Sequence, residues 1–163
     1  MSRAYFLTLA LASFTFACDR GATSSTGLAP VNASAAATAG QSVTGSGTIT
    51  FGTSIEHISV STSGNSGRVT FQDKAAGGNV NGQIDVNCVN IVDNTATISG
   101  IVTHSNDHTL EGREGVFQVV DNGNGTAPDF ASIINFHELG AGTDCSSGEF
   151  DLSPVKGNFT VQD

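Results

Sequence analysis

A loop-like run at 121–129 of this 163-residue chain, DNGNGTAPD, is the best candidate for a ligand site. Hard cations such as calcium want several oxygens converging from one loop, so Asp121 and Asp129 form a candidate metal site. An EF-hand loop starting at Asp121 would need oxygen ligands where Gly123 and Gly125 stand, so that motif fails, and a solvated hairpin turn accounts for the same letters. A second cluster, His104, Asp107, His108 and Glu111, offers the ligand types zinc prefers. Its spacing converges on a helix, whereas a loop is expected here, and in a loop the two histidines share no face. His137 and Glu138 set a base beside a carboxylate, the pairing used in general acid–base chemistry; a polar strand end explains them equally. Asp73, Asp121 and Glu138 would suit glycoside hydrolysis only if folding set two of them about 5–10 Å apart across a cleft. Spacing alone therefore assigns no catalytic residue.

The elements that must position these groups begin after an export signal. A short positive start (Met1, Arg3) precedes the apolar run AYFLTLALASFTFA at 4–17, then Cys18 and Asp19. That run is too short to span a bilayer comfortably and matches a signal peptide at 1–17. With the cysteine at the cleavage point, it resembles a bacterial lipoprotein signal, which implies that Cys18 is acylated and becomes the membrane anchor. Residues 18–43 are mostly Ser, Thr, Ala and Gly, with Leu28, Val31 and Val43 the only branched aliphatics. Such a segment cannot offset its ordering entropy by burial, so it is expected to be a flexible tether.

The chain carries a net charge of −9; loss of Arg3 with the signal leaves five basic against 15 acidic residues, or −10. Arg20, Arg68, Lys74, Arg113 and Lys156 are scattered, so no patch exists to neutralise phosphates, and nucleic acid is not an expected partner. In an oxidising compartment, Cys88 and Cys145 are expected to form one disulfide, the alternative being two separately buried thiols.

From residue 44 to 163, β-branched and aromatic residues alternate with polar ones between clusters of Gly, Asn and Asp. Nine short strands are expected, at 48–52, 57–62, 68–72, 80–86, 88–92, 95–103, 116–120, 130–136 and 158–161. Alternation puts Ile49 with Phe51, Ile58 with Val60, Val69 with Phe71, Ala96 with Ile98, and Phe117 with Val119 on inward faces. No helical periodicity is sustained. The expected fold is all-β, an antiparallel sandwich or closed barrel, because one open sheet could not cover its own apolar face.

Several segments in order, GTITF at 47–51, GRVTFQD at 67–73, IDVNCV at 84–89, NTATISG at 94–100, GVFQVVDNG at 115–123, Cys145 and GNFTV at 157–161, resemble a domain widespread in exported bacterial proteins of unestablished function. The resemblance covers nearly all of the folded part. It implies a secreted or surface β domain and a Cys88–Cys145 pair, and it supplies no catalytic residue.

The expected role is therefore a non-enzymatic module of the cell envelope, held to a membrane by lipid at Cys18 and binding a glycan or an envelope protein, on the periplasmic face or the cell surface. The rival readings are a secreted hydrolase that uses acidic residues and a calcium-stabilised structural module. A concave surface gathering aromatic or acidic side chains would mark a binder; a smooth surface would mark a structural part.

Overall fold

The computed structural model describes residues 40–75, 77–139, 145 and 148–163. The expected signal peptide, Cys18 and the tether as far as residue 39 lie outside the described residues. Ten strands make a single antiparallel sheet: β1 (Ser42–Phe51), β2 (Ser54–Ser63), β3 (Ser66–Ala75), β4 (Gly78–Val92), β5 (Thr95–Ser105), β6 (Glu114–Val120), β7 (Phe130–Ala131), β8 (Asn135–His137), β9 (Ser153–Pro154) and β10 (Lys156–Gln162). Their order is β10-β1-β2-β3-β4-β5-β6-β7-β9, with β8 also on β6, and the sheet is nearly closed into a barrel.

Tight turns drive the up-and-down order of β1 to β5. Gly52 and Gly64 sit at φ 59° and 56°, and Asp93, followed by Asn94, takes φ 56°, a left-handed conformation that Asp tolerates better than most residues. Closure falls to residues 153–162. Pro154 and Ser153 pair with β7, while the segment from Lys156 onward pairs with β1, so one continuous stretch runs along both free edges.

The inward faces follow the alternation. Ile49, Ile58, Val60, Val69, Phe71, Ala96, Ile98, Phe117 and Val119 are buried in one core with Ile84, Val86, Val89, Val102 and Phe159. Phe51 differs, at 44% exposed, because it stands at the barrel's rim.

Three departures from the sequence reading have physical causes. The strands expected at 80–86 and 88–92 are one strand, β4, interrupted by a register shift between Val86 and Cys88. That bulge lets Val86 and Val89 both face inward although they are three apart, and the broken alternation reads as a strand end. The strand expected at 130–136 is two, β7 and β8, parted where Ser132 turns its hydroxyl to the backbone and takes the Gln118 N–H at 3.0 Å. β1 begins at Ser42, so Val43, counted with the tether, is a fully buried core residue paired with Val161.

Cys88 and Cys145 form a disulfide, with Cα atoms 6.0 Å apart. Cys88 lies opposite Ser99 on β5, and the Ser99 hydroxyl is 3.6 Å from the Cys145 sulfur. The bridge therefore holds Cys145 against the outer face of β5, where Ser99 is buried on a side that alternation assigns to solvent.

Candidate functional site

One end of the barrel is not filled. Where β1 and β3 end and β2 and β4 begin, the core gives way to a cavity of about 210 Å3, lined by Phe51, Ser54, Glu56, Phe71, Asp73, Val80, Leu110, Ile133, Ile134 and Phe136. Its floor is aromatic: the Phe71 and Phe136 rings meet at 5.3 Å between centroids, tilted by 51°. Two glycines make room for them. Gly82 lies opposite Phe71, and a Cβ there would come within 2.7 Å of the ring; Gly115 lies opposite Phe136, and its Cβ would meet Ile84 at 2.7 Å. A side chain at Gly82 would also meet the His104 carbonyl oxygen at 2.6 Å, so both positions pack too closely for a Cβ.

Glu56 and Asp73 face each other across this apolar lining. They are register partners on β2 and β3, at inward-facing positions two residues beyond Ile58 and Phe71. Glu56 is 6% exposed, and Ile134 donates its backbone N–H to Oε2 at 3.2 Å. Burial pushes the Glu56 carboxyl up to about 8, partly opposed by the Ile134 hydrogen bond and reinforced by the nearby charge of Asp73. At neutral pH Glu56 is thus a protonated hydrogen-bond donor. Asp73 keeps its Oδ1 buried with no hydrogen-bond partner among the described residues, an unusual condition for a carboxylate oxygen. Among the described residues no basic side chain lines the cavity.

The residues singled out in the sequence fall elsewhere, Asp73 excepted. Asp121 and Asp129 stand at the opposite end, on the closing seam. Asp129 accepts the Asn122 N–H (2.9 Å) and the Phe159 N–H (2.7 Å), while Asp121 accepts those of Gly123 (2.6 Å) and Val161 (2.9 Å). The two carboxylates therefore tie β10 to the end of β6, taking the place of ladder hydrogen bonds that the sheet does not make there. Their loop borders a polar hollow of about 350 Å3 with Gly157 and Asn158.

His104, Asp107, His108 and Glu111 surround a single 3-10 turn, His108–Leu110, which Asp107 caps by accepting the Thr109 N–H. The Thr109 hydroxyl and amide hold Asp107 below the usual carboxylate range; for Glu111 the Ser105 N–H does so first and His108 second. The His104 and His108 Nδ1 atoms lie 3.8 and 3.2 Å from the same Glu111 oxygen. Among the described residues no three His, Cys, Asp or Glu side chains gather as metal ligands do. The turn has a different use, presenting Leu110 to the cavity. Glu138 pairs on the surface with Arg113, so the carboxylates Asp73, Asp121 and Glu138 are dispersed over three regions.

Glu56 was absent from the candidate residues, yet its signal was present. The parity that turns Ile58 and Val60 inward, extended by two residues, also turns Glu56 inward. Comparison with protein families, with curated proteins and with solved structures finds no match to the chain.

Proposed function

We propose that this chain is an exported, lipid-anchored envelope module whose barrel binds a small, apolar-bodied molecule at its open end without transforming it. The observation that carries this reading is the cavity itself: aromatic and aliphatic walls with two convergent carboxyls, the usual make-up of a small-molecule site. Its volume of about 210 Å3 suits a ligand of one ring or a short chain rather than a polymer. The likeness of residues 1–18 to a lipoprotein signal supports attachment through Cys18. The disulfide supports the same reading, since such bonds persist in oxidising compartments outside the cytoplasm.

A second reading has one observation in its favour. Glu56 is held protonated beside Asp73, and two carboxyls in different proton states are the equipment of acid–base hydrolysis. The cavity's volume of about 210 Å3 suits one ring better than a chain of sugars, which favours binding.

Titration of the 15N-labelled chain with a library of one-ring fragments tests the proposal. Fragments that bind should shift the amides of Phe51, Glu56, Phe71, Asp73, Leu110 and Phe136 together. A library that leaves all of these unmoved would overturn it, and turnover of a glycoside abolished by both Glu56→Gln and Asp73→Asn would establish the enzyme instead. Mass spectrometry of the native amino terminus tests the anchor, with a diacylglycerol-modified Cys18 expected.

A further inference from the structure

We propose that the ligand of this cavity carries a primary or secondary ammonium group on a small apolar body, with the ammonium placed against Asp73 and the body between Phe51, Phe71 and Phe136. This rests on the binding reading above and names its ligand class. Asp73 lines the cavity, and its Oδ1, covered by neighbouring side chains, has no hydrogen-bond partner among the described residues; an N–H donor that enters the cavity and turns the carboxylate toward it would satisfy that oxygen. A cation rather than a neutral donor is favoured by the absence of any internal counter-charge. Arg68 pairs outward with Asp85, and Lys74 is exposed on the face of β3 opposite to Asp73.

The walls fit the same class. Phe51, Phe71 and Phe136 bring three rings to one small volume, and aromatic faces attract an ammonium that has left water. The chain's net charge of −9 adds a field that draws cations toward it. Among the described residues Glu56 and Asp73 are the titratable groups on the lining, and with Glu56 pushed up to about 8 the lining offers the Asp73 carboxylate and one additional hydrogen-bonding group. That pattern matches a monocation bearing a second polar atom better than a dication. A carboxylate ligand would meet Asp73 with like charge.

Calorimetric titration of the full chain at pH 7 with benzylammonium, benzyl alcohol and benzoate separates the claims. Benzylammonium should bind about tenfold more tightly than the alcohol, a modest value for a charge pair at a partly open site, and benzoate should bind weakest. Asp73→Asn should erase the preference for benzylammonium while leaving the alcohol's affinity in place. Glu56→Gln, which imitates the protonated side chain, should keep it. Equal binding of the three probes would overturn the ammonium assignment and leave the cavity a binding site. If none of the three binds the parent, both readings fall. The three-probe comparison on the parent needs no variant, so a poorly folded Asp73→Asn does not protect the proposal.

Discussion

Glu56 makes stability depend on pH in a direction opposite to that of most carboxylates. Its ordinary value is 4.5, and in the barrel it rises to about 8, chiefly because burial penalises the charged form. Between these two values the folded chain holds a proton that the unfolded chain has released. The native state then binds more protons, so stability falls as pH rises through this window and levels off above about 8, where both states are ionised. At about 1.4 kcal/mol per pH unit, the full change is about 5 kcal/mol, as large as the whole net stability of some small domains. Glu56→Gln keeps the shape and an oxygen for the Ile134 N–H but removes the titration. Urea unfolding followed by far-ultraviolet circular dichroism, at pH 5, 6.5, 8 and 9, should show the parent losing stability across the series. The variant should match the parent near pH 5 and exceed it by several kcal/mol at pH 9. The difference between the two curves cancels every other titrating group. Parallel curves for parent and variant, or a difference that shrinks as pH rises, would refute the burial argument.

The seam makes a second claim: Asp129→Ala strips hydrogen-bond acceptors from the Asn122 and Phe159 amides and should cost about 3 kcal/mol in the same urea assay, a loss under about 1 kcal/mol showing that closure does not depend on it. The Cys88–Cys145 bridge spans 57 residues, and on the chain-entropy model its replacement by two serines should cost about 4 kcal/mol, read as a lower urea midpoint with the cavity shifts of bound fragments retained. Because the four oxygens of Asp121 and Asp129 already accept backbone N–H groups, millimolar calcium and chelator should give the same melting midpoint; a rise with calcium would restore the cation reading of the 121–129 loop. A Cβ at Gly82 would lie 2.6 Å from the His104 carbonyl oxygen and 2.7 Å from the Phe71 ring, so Gly82→Ala should lower the urea midpoint and weaken fragment binding together, and a variant as stable as the parent would refute the close packing.

Much of the architecture was legible because strand alternation and turn residues are local signals. Ile58 with Val60, Val69 with Phe71, and Phe117 with Val119 all face the core as their spacing demands, and Asp93 with Asn94 makes the expected turn. What failed was non-local. The β4 bulge breaks alternation for a reason that lies on β5, since Cys88 must meet Ser99 there and carry the disulfide outward. Pro154 enters a strand only because β7 lies beside it, and a two-residue pairing leaves no periodic trace. Val43 looked like tether because its polar neighbours carry no pattern without β10 beside them.

The site was hidden for a different reason: polar residues in loops, whose side chains are free to converge, look like ligands in a sequence, whereas polar residues in strands have their direction already fixed by the backbone. An acid at an inward position of a strand cannot turn to solvent without reversing every neighbour, so the fold must either satisfy it or leave it for a ligand. Thr62, at the far end of the same face of β2, shows the first outcome, exchanging hydrogen bonds with both the N–H and the carbonyl of Val43. Glu56 is satisfied in part, by one amide and by keeping its proton. Asp73 shows the second outcome, with an oxygen the barrel does not serve. The loop carboxylates Asp121 and Asp129, which look more like a binding site in the sequence, are fully engaged in holding the fold closed. In a barrel this small, then, the inward polar residue that breaks the apolar register marks the cavity more reliably than a loop rich in oxygen-bearing side chains.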